Sequence, residues 1–412
     1  MPTTADDAAG EAAHEQPLPA LSKGGGGGGF HYVVVGAGLS GAVLAREAAE
    51  AGRKALVIDK RDHIAGNCYD FIDHNGYRVA QYGPHFFHTR NERVWAYVQR
   101  FSQWSPWEHR VTARLRKPST GVEVHVPVPA NIDSVNELFD LSISSEEEMN
   151  AWLGAEQVPC AAPGDSRDVA LSRVGHRLYD LLFRGYTKKQ WDKFPEQLEP
   201  SVLARIPVRS NWDDRYFTDP HQALPTGGYT AFVAAILDHP NIEVRTGCDF
   251  FAERHALASA ERVIYTGPVD HYFAHLGYEP LEYRSVRFVP EDVPIRRHDE
   301  CVQPTSQVNY PSLDVPWTRV TEYKHLLGQT SRNDRLTSTL LKEYSSAEGD
   351  PFYPVPDPKN RALYEKYRAA AEAEPRVLFA GRLASYKYYN MDEAIGSALA
   401  TADDAFRGGK PA

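Results

Sequence analysis

Gly36, Gly38 and Gly41, within "HYVVVGAGLSGAVLA" (31–45), constrain this chain more than any other feature. The run "HYVVV" is apolar and β-branched, as a parallel strand covered on both faces must be. "GAGLSG" follows it, and "AVLAREAAEAG" then reads as a helix closed by Gly52. In such a G-x-G-x-x-G turn the first glycine permits the sharp bend and the second admits a pyrophosphate. The third lets helix and strand press together. Leu39 and Ser40 open the helix, so its partial positive charge faces the phosphates. "KALVIDK" (54–60) supplies a second buried strand ending at Asp59, where a carboxylate can hold a ribose hydroxyl. Lys60 and Arg61 come next, followed by a second turn at Gly66 and Asn67. A basic pair and a second turn favour FAD over NAD, because more backbone must wrap the longer cofactor.

The pattern returns near the other end. "RVLFAG" reads as a buried strand running into Gly381 and Arg382, and "NMDEAIGSALATADDAF" as a helix led by Asn390 and Met391. Asn390 and Glu393 have the spacing of a capping box. A nucleotide-binding fold that begins near residue 31 and closes beyond residue 380 must be interrupted. Residues 131–200 carry apolar side chains at spacings of three and four and read as helices, while 283–345 alternate as strands. Asn75-Gly76 between short apolar runs predicts a hairpin.

The expected architecture is therefore α/β: a discontinuous Rossmann-like FAD-binding domain with a helical insertion and an antiparallel β-sheet domain. Residues 1–29, which end in "GGGGGGF" less its Phe, read as a disordered tail. The FAD-binding domain takes 30–100, 226–272 and 358–408. The helical domain takes 131–208, and the sheet domain takes 101–130, 209–225 and 273–357.

A net charge of −10 argues against nucleic acid as a partner. The four cysteines, Cys68, Cys160, Cys248 and Cys301, lie far apart, which fits reduced thiols and a cytoplasmic protein better than a zinc site or disulfide scaffold. No membrane span and no signal peptide are expected. His85 and His88 stand in "QYGPHFFHT" (81–89). No cluster of metal-ligating residues adjoins them in sequence, so the choice for this loop lies between a reactive role and core packing, with packing as strong a reading as function for His88.

Several segments occur together in one order: "DKRDHIAGNCYD", "YGPHFFHT", "FRGYTKKQW", "RIPVRSNWDDRYFTDPHQALPTGGYT", "PWTRVTEYKH", "LKEYS" and "FAGRLASYKYYNMD". With the glycine motif they make nearly all of 31–405 resemble the UDP-galactopyranose mutase family. The resemblance implies a net non-redox isomerase, probing no new oxidation state, in which N5 of reduced FAD attacks the anomeric carbon of UDP-galactose and expels UDP. It implies His85 near the reactive face of the flavin and Arg209 and Arg319 as the diphosphate-binding pair. Tyr186 would contact the uracil and Trp191 would cover the sugar. Tyr344 and Tyr388 would donate hydroxyls to phosphate, and Asn390 would sit near sugar and flavin as a neutral amide. Phe183, His221 and Asn309 complete the implied substrate-binding set.

The resemblance further implies a mobile lid at about 191–209, a homodimer, and a role in building cell-wall glycans. The chain departs from the family pattern at Ala65, where Gly is common and alanine is tolerable if its φ is negative, at Leu182, where an aromatic often packs on the base, and at His221, where Tyr is usual. The last two leave a different nucleotide sugar open, carried on GDP or TDP. An FAD oxidoreductase of the amine-oxidase kind and a non-catalytic nucleotide-sugar binder are the readings from other classes. Two arginines reserved for a diphosphate count against the first, and intact flavin and lid motifs against the second.

Overall fold

The computed structural model describes residues 29–406 apart from 258–259, 298, 327–328 and 330–335. The tail expected at 1–29 therefore falls, up to residue 28, outside the described residues.

The strand Tyr32–Val35 pairs in parallel with Ala55–Asp59 on one side and Arg262–Tyr265 on the other. Ile242–Thr246 and Val377–Phe379 extend the sheet at its two edges, also in parallel. Successive side chains of a strand face opposite ways, and here both faces are covered. Val34, Val57 and Ile264 pack with the helices Leu39–Glu50, Tyr229–Leu237 and Met391–Phe406. Val33, Leu56, Ile58 and Val263 pack on the other side with Phe250, Tyr272, Leu363 and Tyr367. That double burial explains why the strands read as unbroken apolar runs. Gly41 is needed because a Cβ there would lie 1.9 Å from the carbonyl oxygen of Gly36, so only glycine lets this Ala-rich helix lie so close to its strand.

A second sheet has seven strands, in the order Tyr353–Pro354, Tyr283–Pro294, Thr337–Ser346, Arg319–Glu322, Gln307–Asn309, Val111–Arg116 and Glu123–Val128. It is antiparallel except where Gln307–Asn309 runs parallel to Val111–Arg116. The expected antiparallel sheet is in this respect mixed. The two strands come from distant parts of the chain, and no tight turn fixes their relative direction. Helices from Ile132–Phe139 to Gly185–Trp191 cover part of this sheet through Ile132, Leu138, Met149 and Leu178, which meet Ala113, Leu115 and Val126. Asn131 and Ser134 form a reciprocal capping box at the start of the first of these helices. The hairpin at Asn75-Gly76 joins Asp70–Ile72 to Arg78–Ala80. A small sheet of Phe87–Thr89, His221–Pro225 and Trp104–Pro106 carries the histidine loop. No described helix is long and apolar enough to cross a membrane.

Candidate active site

A cavity of about 770 Å³ lies where the carboxyl ends of the parallel strands, the helical layer and the seven-stranded sheet meet. At one end Gly36, Gly38, Leu39, Ser40, Gly41, Asp59, Lys60, Arg61, Gly66 and Asn67 form its wall. Gly38 caps the helix Leu39–Glu50 without a side-chain hydrogen bond, which leaves the first-turn N–H groups open to a ligand. A Cβ on Gly66 would come within 3.0 Å of the Gly38 Cα, so two bare backbones face one another there. This cradle fits a pyrophosphate. The Asp59 carboxylate is held by the N–H groups of Ala37 at 2.8 Å and Arg61 at 3.0 Å, which aims it at the crease. Gly381, Arg382, Asn390 and Met391 line the continuation of the same cavity. The Asn390 N–H donates to the Glu393 carboxylate at 2.7 Å, half of the capping box the sequence suggested.

Ala65 does not meet the condition under which alanine fits easily here: its φ is +71°, left-handed. Its N–H donates to the carbonyl of Ala37 at 2.9 Å, and the chain must turn sharply at this point to present Gly66 to Gly38. An L-residue held in this region costs about 1–2 kcal/mol.

His85 lies on the cavity wall. Its Nδ1–H donates to the Gly83 carbonyl at 2.9 Å, leaving Nε2 as an acceptor. Burial lowers its pKa to about 4, outweighing that hydrogen bond and helped by the nearby guanidiniums of Arg382 and Arg319, so the imidazole is neutral at neutral pH. His88 also touches the cavity, but its ring stacks on Phe217 at 3.6 Å and its Nδ1 bonds Asp219 at 2.7 Å.

Arg319, Asn309, Tyr186, Trp191, Phe183 and Tyr388 all reach the cavity wall, as does Leu182. Arg319 and Asn309 are direct neighbours across adjacent strands. Glu343, opposite Arg319 on the other side, accepts from its Nε at 2.7 Å, so both Nη groups are left for a ligand. Burial of Tyr186 raises its pKa above the ordinary phenol range, and the ring is an uncharged wall.

Three expected site residues do not reach the wall. Arg209 is turned away: its Nη1 bonds the Asp213 carboxylate at 2.7 Å and the Asp213 carbonyl at 3.0 Å. The first arginine of "RIPVR", Arg205, lines the cavity instead, with its guanidinium 4.1 Å from the Tyr388 ring centroid. Asp213, four residues after Arg209, was the signal available in the sequence. Tyr344 follows Glu343 on the strand, and since Glu343 turns to Arg319, Tyr344 faces the other side, against Trp317 and under Arg287. Tyr353, not singled out in the sequence, lines the cavity where Tyr344 was expected and stacks on Tyr388 at 5.2 Å. His221 sits outside, stacked on Trp95 at 4.9 Å and bonded to Glu92 at 2.9 Å, while Tyr216 reaches the wall.

The cavity thus gathers the guanidiniums of Arg205, Arg319 and Arg382. Arg382 lies 4.8 Å from the ring centroids of both Tyr353 and Tyr388. Burial alone would raise the Tyr388 phenol, but Arg205 and Arg382 overcome it and pull its pKa below the ordinary range. Among the described residues Glu343 is the one carboxylate that pairs with any of these three arginines, so together they bring a net positive charge to this part of the wall. Lys189, unremarked in "GYTKKQW", donates to the carbonyls of Tyr310, Val315 (3.2 Å) and Trp317 (2.8 Å), tying the wall helix to the loop before Arg319. Elsewhere Cys301, Glu322 and His325 bring ligand atoms within 4.8 Å of one another, but Glu322 already accepts from the N–H groups of Val302 and Gln303. All four cysteines are free.

Comparison with known proteins adds to this geometry. Residues 181–388 match the family described as UDP-galactopyranose mutase, and residues 34–101 match the NAD(P)-binding Rossmann-like domain. The chain is 37% identical to a protein of Klebsiella pneumoniae described as a probable UDP-galactopyranose mutase, over 90% of this chain and 94% of the relative. It is 36% identical to the dTDP-fucopyranose mutase of Escherichia coli, over 89% of this chain and 96% of the relative. In fold it resembles the crystal structure of a reduced UDP-galactopyranose mutase, with a TM-score of 0.72 at 16% identity, covering 93% of this chain and 97% of the other. It also resembles a putrescine oxidase, with a TM-score of 0.53 at 12% identity, covering 92% and 99%. The fold alone therefore does not separate an isomerase from an oxidase.

Proposed function

The chain belongs to the UDP-galactopyranose mutase family, and we propose that it interconverts the pyranose and furanose forms of UDP-galactose, using FAD with no net redox change. The observation that carries this reading is the convergence of Arg205, Arg319 and Arg382 on a cavity continuous with a dinucleotide crease. An amine substrate has no use for three guanidiniums. A departing diphosphate does, because it concentrates negative charge that fixed cationic donors stabilise.

Bound FAD, in reduced form, supplies the nucleophile for the anomeric carbon. The residues of this chain do the rest. Arg205 and Arg319 receive the diphosphate, with the hydroxyls of Tyr353 and Tyr388 beside them. Leu182, Phe183 and Tyr186 enclose the base, and Trp191 covers the hexose. Neutral His85 offers a lone pair at Nε2 close to Arg382, and Asn390 offers an amide that can hydrogen-bond but not take a proton. Residues 191–209 act as a lid whose closure excludes water from the reacting sugar. The protein is read as a cytoplasmic homodimer feeding glycan assembly, and free cysteines fit a reducing compartment.

A second substrate, a dTDP-6-deoxyhexose, is supported by the Escherichia coli relative and by Leu182, whose aliphatic side chain suits a thymine methyl. Dithionite-reduced protein is incubated with UDP-galactofuranose or dTDP-fucofuranose, and the pyranose is followed by chromatography with oxidised protein as control. Conversion of the UDP sugar only when reduced supports the first reading. Exclusive conversion of the dTDP sugar selects the second, and conversion of neither overturns both.

A further inference from the structure

The helix Gly185–Trp191 presents two different faces. Tyr186, Thr187, Gln190 and Trp191 line the cavity, whereas Gly185 and Lys189, one turn apart, meet the hairpin loop that joins Gln307–Asn309 to Arg319–Glu322. A Cβ on Gly185 would lie 2.4 Å from the Pro311 carbonyl oxygen, so bare backbone presses on the loop there. The Lys189 ammonium has three N–H donors, and three carbonyls of this loop accept from it: Tyr310, Val315 at 3.2 Å and Trp317 at 2.8 Å. Burial lowers its pKa to about 8, against the pull of Asp314, so the charge and all three donors persist at neutral pH. Lys188, its neighbour, makes no such clasp and bonds Asp192 at the end of its own helix at 2.7 Å.

The loop is a firm anchor. The Tyr310 N–H donates to the Thr318 carbonyl at 2.9 Å and closes the hairpin, and the Thr318 N–H donates to the Glu343 carbonyl at 2.8 Å. Asn309 and Arg319, both on the cavity wall, are the paired residues at the two ends of the loop. The helix has less support of its own. It is seven residues long, follows a π-helical turn at Tyr179–Arg184, and ends at Asp192 with a left-handed φ of +57°. So short a helix gains little from its internal hydrogen bonds, and its placement depends on what it is tied to.

We propose that Lys189 is a positioning residue: its clasp on three carbonyls holds the helix at a fixed distance from the sheet, so that Tyr186 meets the base of a nucleotide whose diphosphate lies on Arg319. The proposal rests on the functional reading above. The test is a double-mutant cycle on the FAD-bound protein, comparing wild type, K189M, Y186A and K189M/Y186A by calorimetric Kd for UDP, or for dTDP where the dTDP sugar proves to be the substrate. K189M is expected to weaken the nucleotide about tenfold in the wild-type background and by less than about twofold in the Y186A background, because the clasp acts through Tyr186. K188M removes the same charge from the same helix and should stay within about twofold of wild type. K189Q, whose amide still donates to part of the clasp, is run beside K189M so that a misfolded K189M leaves the cycle open to measurement, and its smaller loss should vanish in the same way with Y186A. Unchanged affinity in K189M and K189Q, a loss that adds to that of Y186A, or an equal loss in K188M overturns the inference, while a wild type that binds UDP or dTDP keeps the functional reading intact. Wild type that binds neither nucleotide overturns that reading and this inference together.

Discussion

Arg205 and Arg209 stand four apart in one motif, and the structure gives them opposite tasks. Arg205 faces the cavity over Tyr388, whereas Arg209 is 7% exposed and paired with Asp213. Replacing Arg205 by Ala removes a guanidinium aimed at the charge that develops as the diphosphate departs. Loss of one such donor costs about 3–4 kcal/mol, or a fall in kcat of about 10²–10³. Replacing Arg209 by Ala leaves Asp213 with Arg215, whose Nε lies 2.9 Å away, so the carboxylate is not stranded. The expected loss there is stability of about 1–3 kcal/mol, a fall in Tm of several degrees, with kcat within about threefold of wild type. Single-turnover kinetics on the reduced protein, with Tm measured on the same samples, separates the two. An Arg209→Ala protein with unchanged Tm and hundredfold lower kcat, beside a fully active Arg205→Ala protein, would refute the assignment.

Tyr353→Phe should lower kcat/KM about fivefold to tenfold by deleting a hydroxyl at the cavity, while Tyr344→Phe should change it little, as steady-state assays of both will show. Ala65→Gly should stabilise the fold by up to about 1 kcal/mol, since relief of a left-handed alanine exceeds the added unfolded-state entropy, and a urea midpoint lower than wild type would contradict this. His85 and His109 are neutral in the fold, with pKa values of about 4 and about 3, and take up protons near pH 6.5 when unfolded. The unfolded state therefore binds more protons below pH 6.5, and stability should fall as pH drops from 6.5 towards 4. H109N should flatten that slope in denaturation curves collected across the window.

The parallel sheet was legible because each strand is buried on both faces and flanked by glycine turns, a pattern carried by local residues. The crease residues from Gly36 to Asn67 are likewise local to one strand–helix–strand unit. The substrate end was less legible because it is built from side chains whose direction depends on strand register. Tyr344 is a plausible phosphate partner until the pairing of Arg319 with Glu343 fixes which face of its strand looks inward. Arg205 and Arg209 differ only in which one Asp213 captures.

The interrupted sheet has a consequence for synthesis. Gly41 and Gly381 are walls of the same crease, yet 340 residues separate them (381 − 41). At translation rates of about 5–20 residues per second, the first wall waits tens of seconds for the second. During that interval the helix Leu39–Glu50 lacks Met391–Phe406, which packs against it through Ile395 and Leu399. The nascent chain thus exposes apolar surface until Met391–Phe406 emerges, and cofactor capture must wait for that helix to be made and packed.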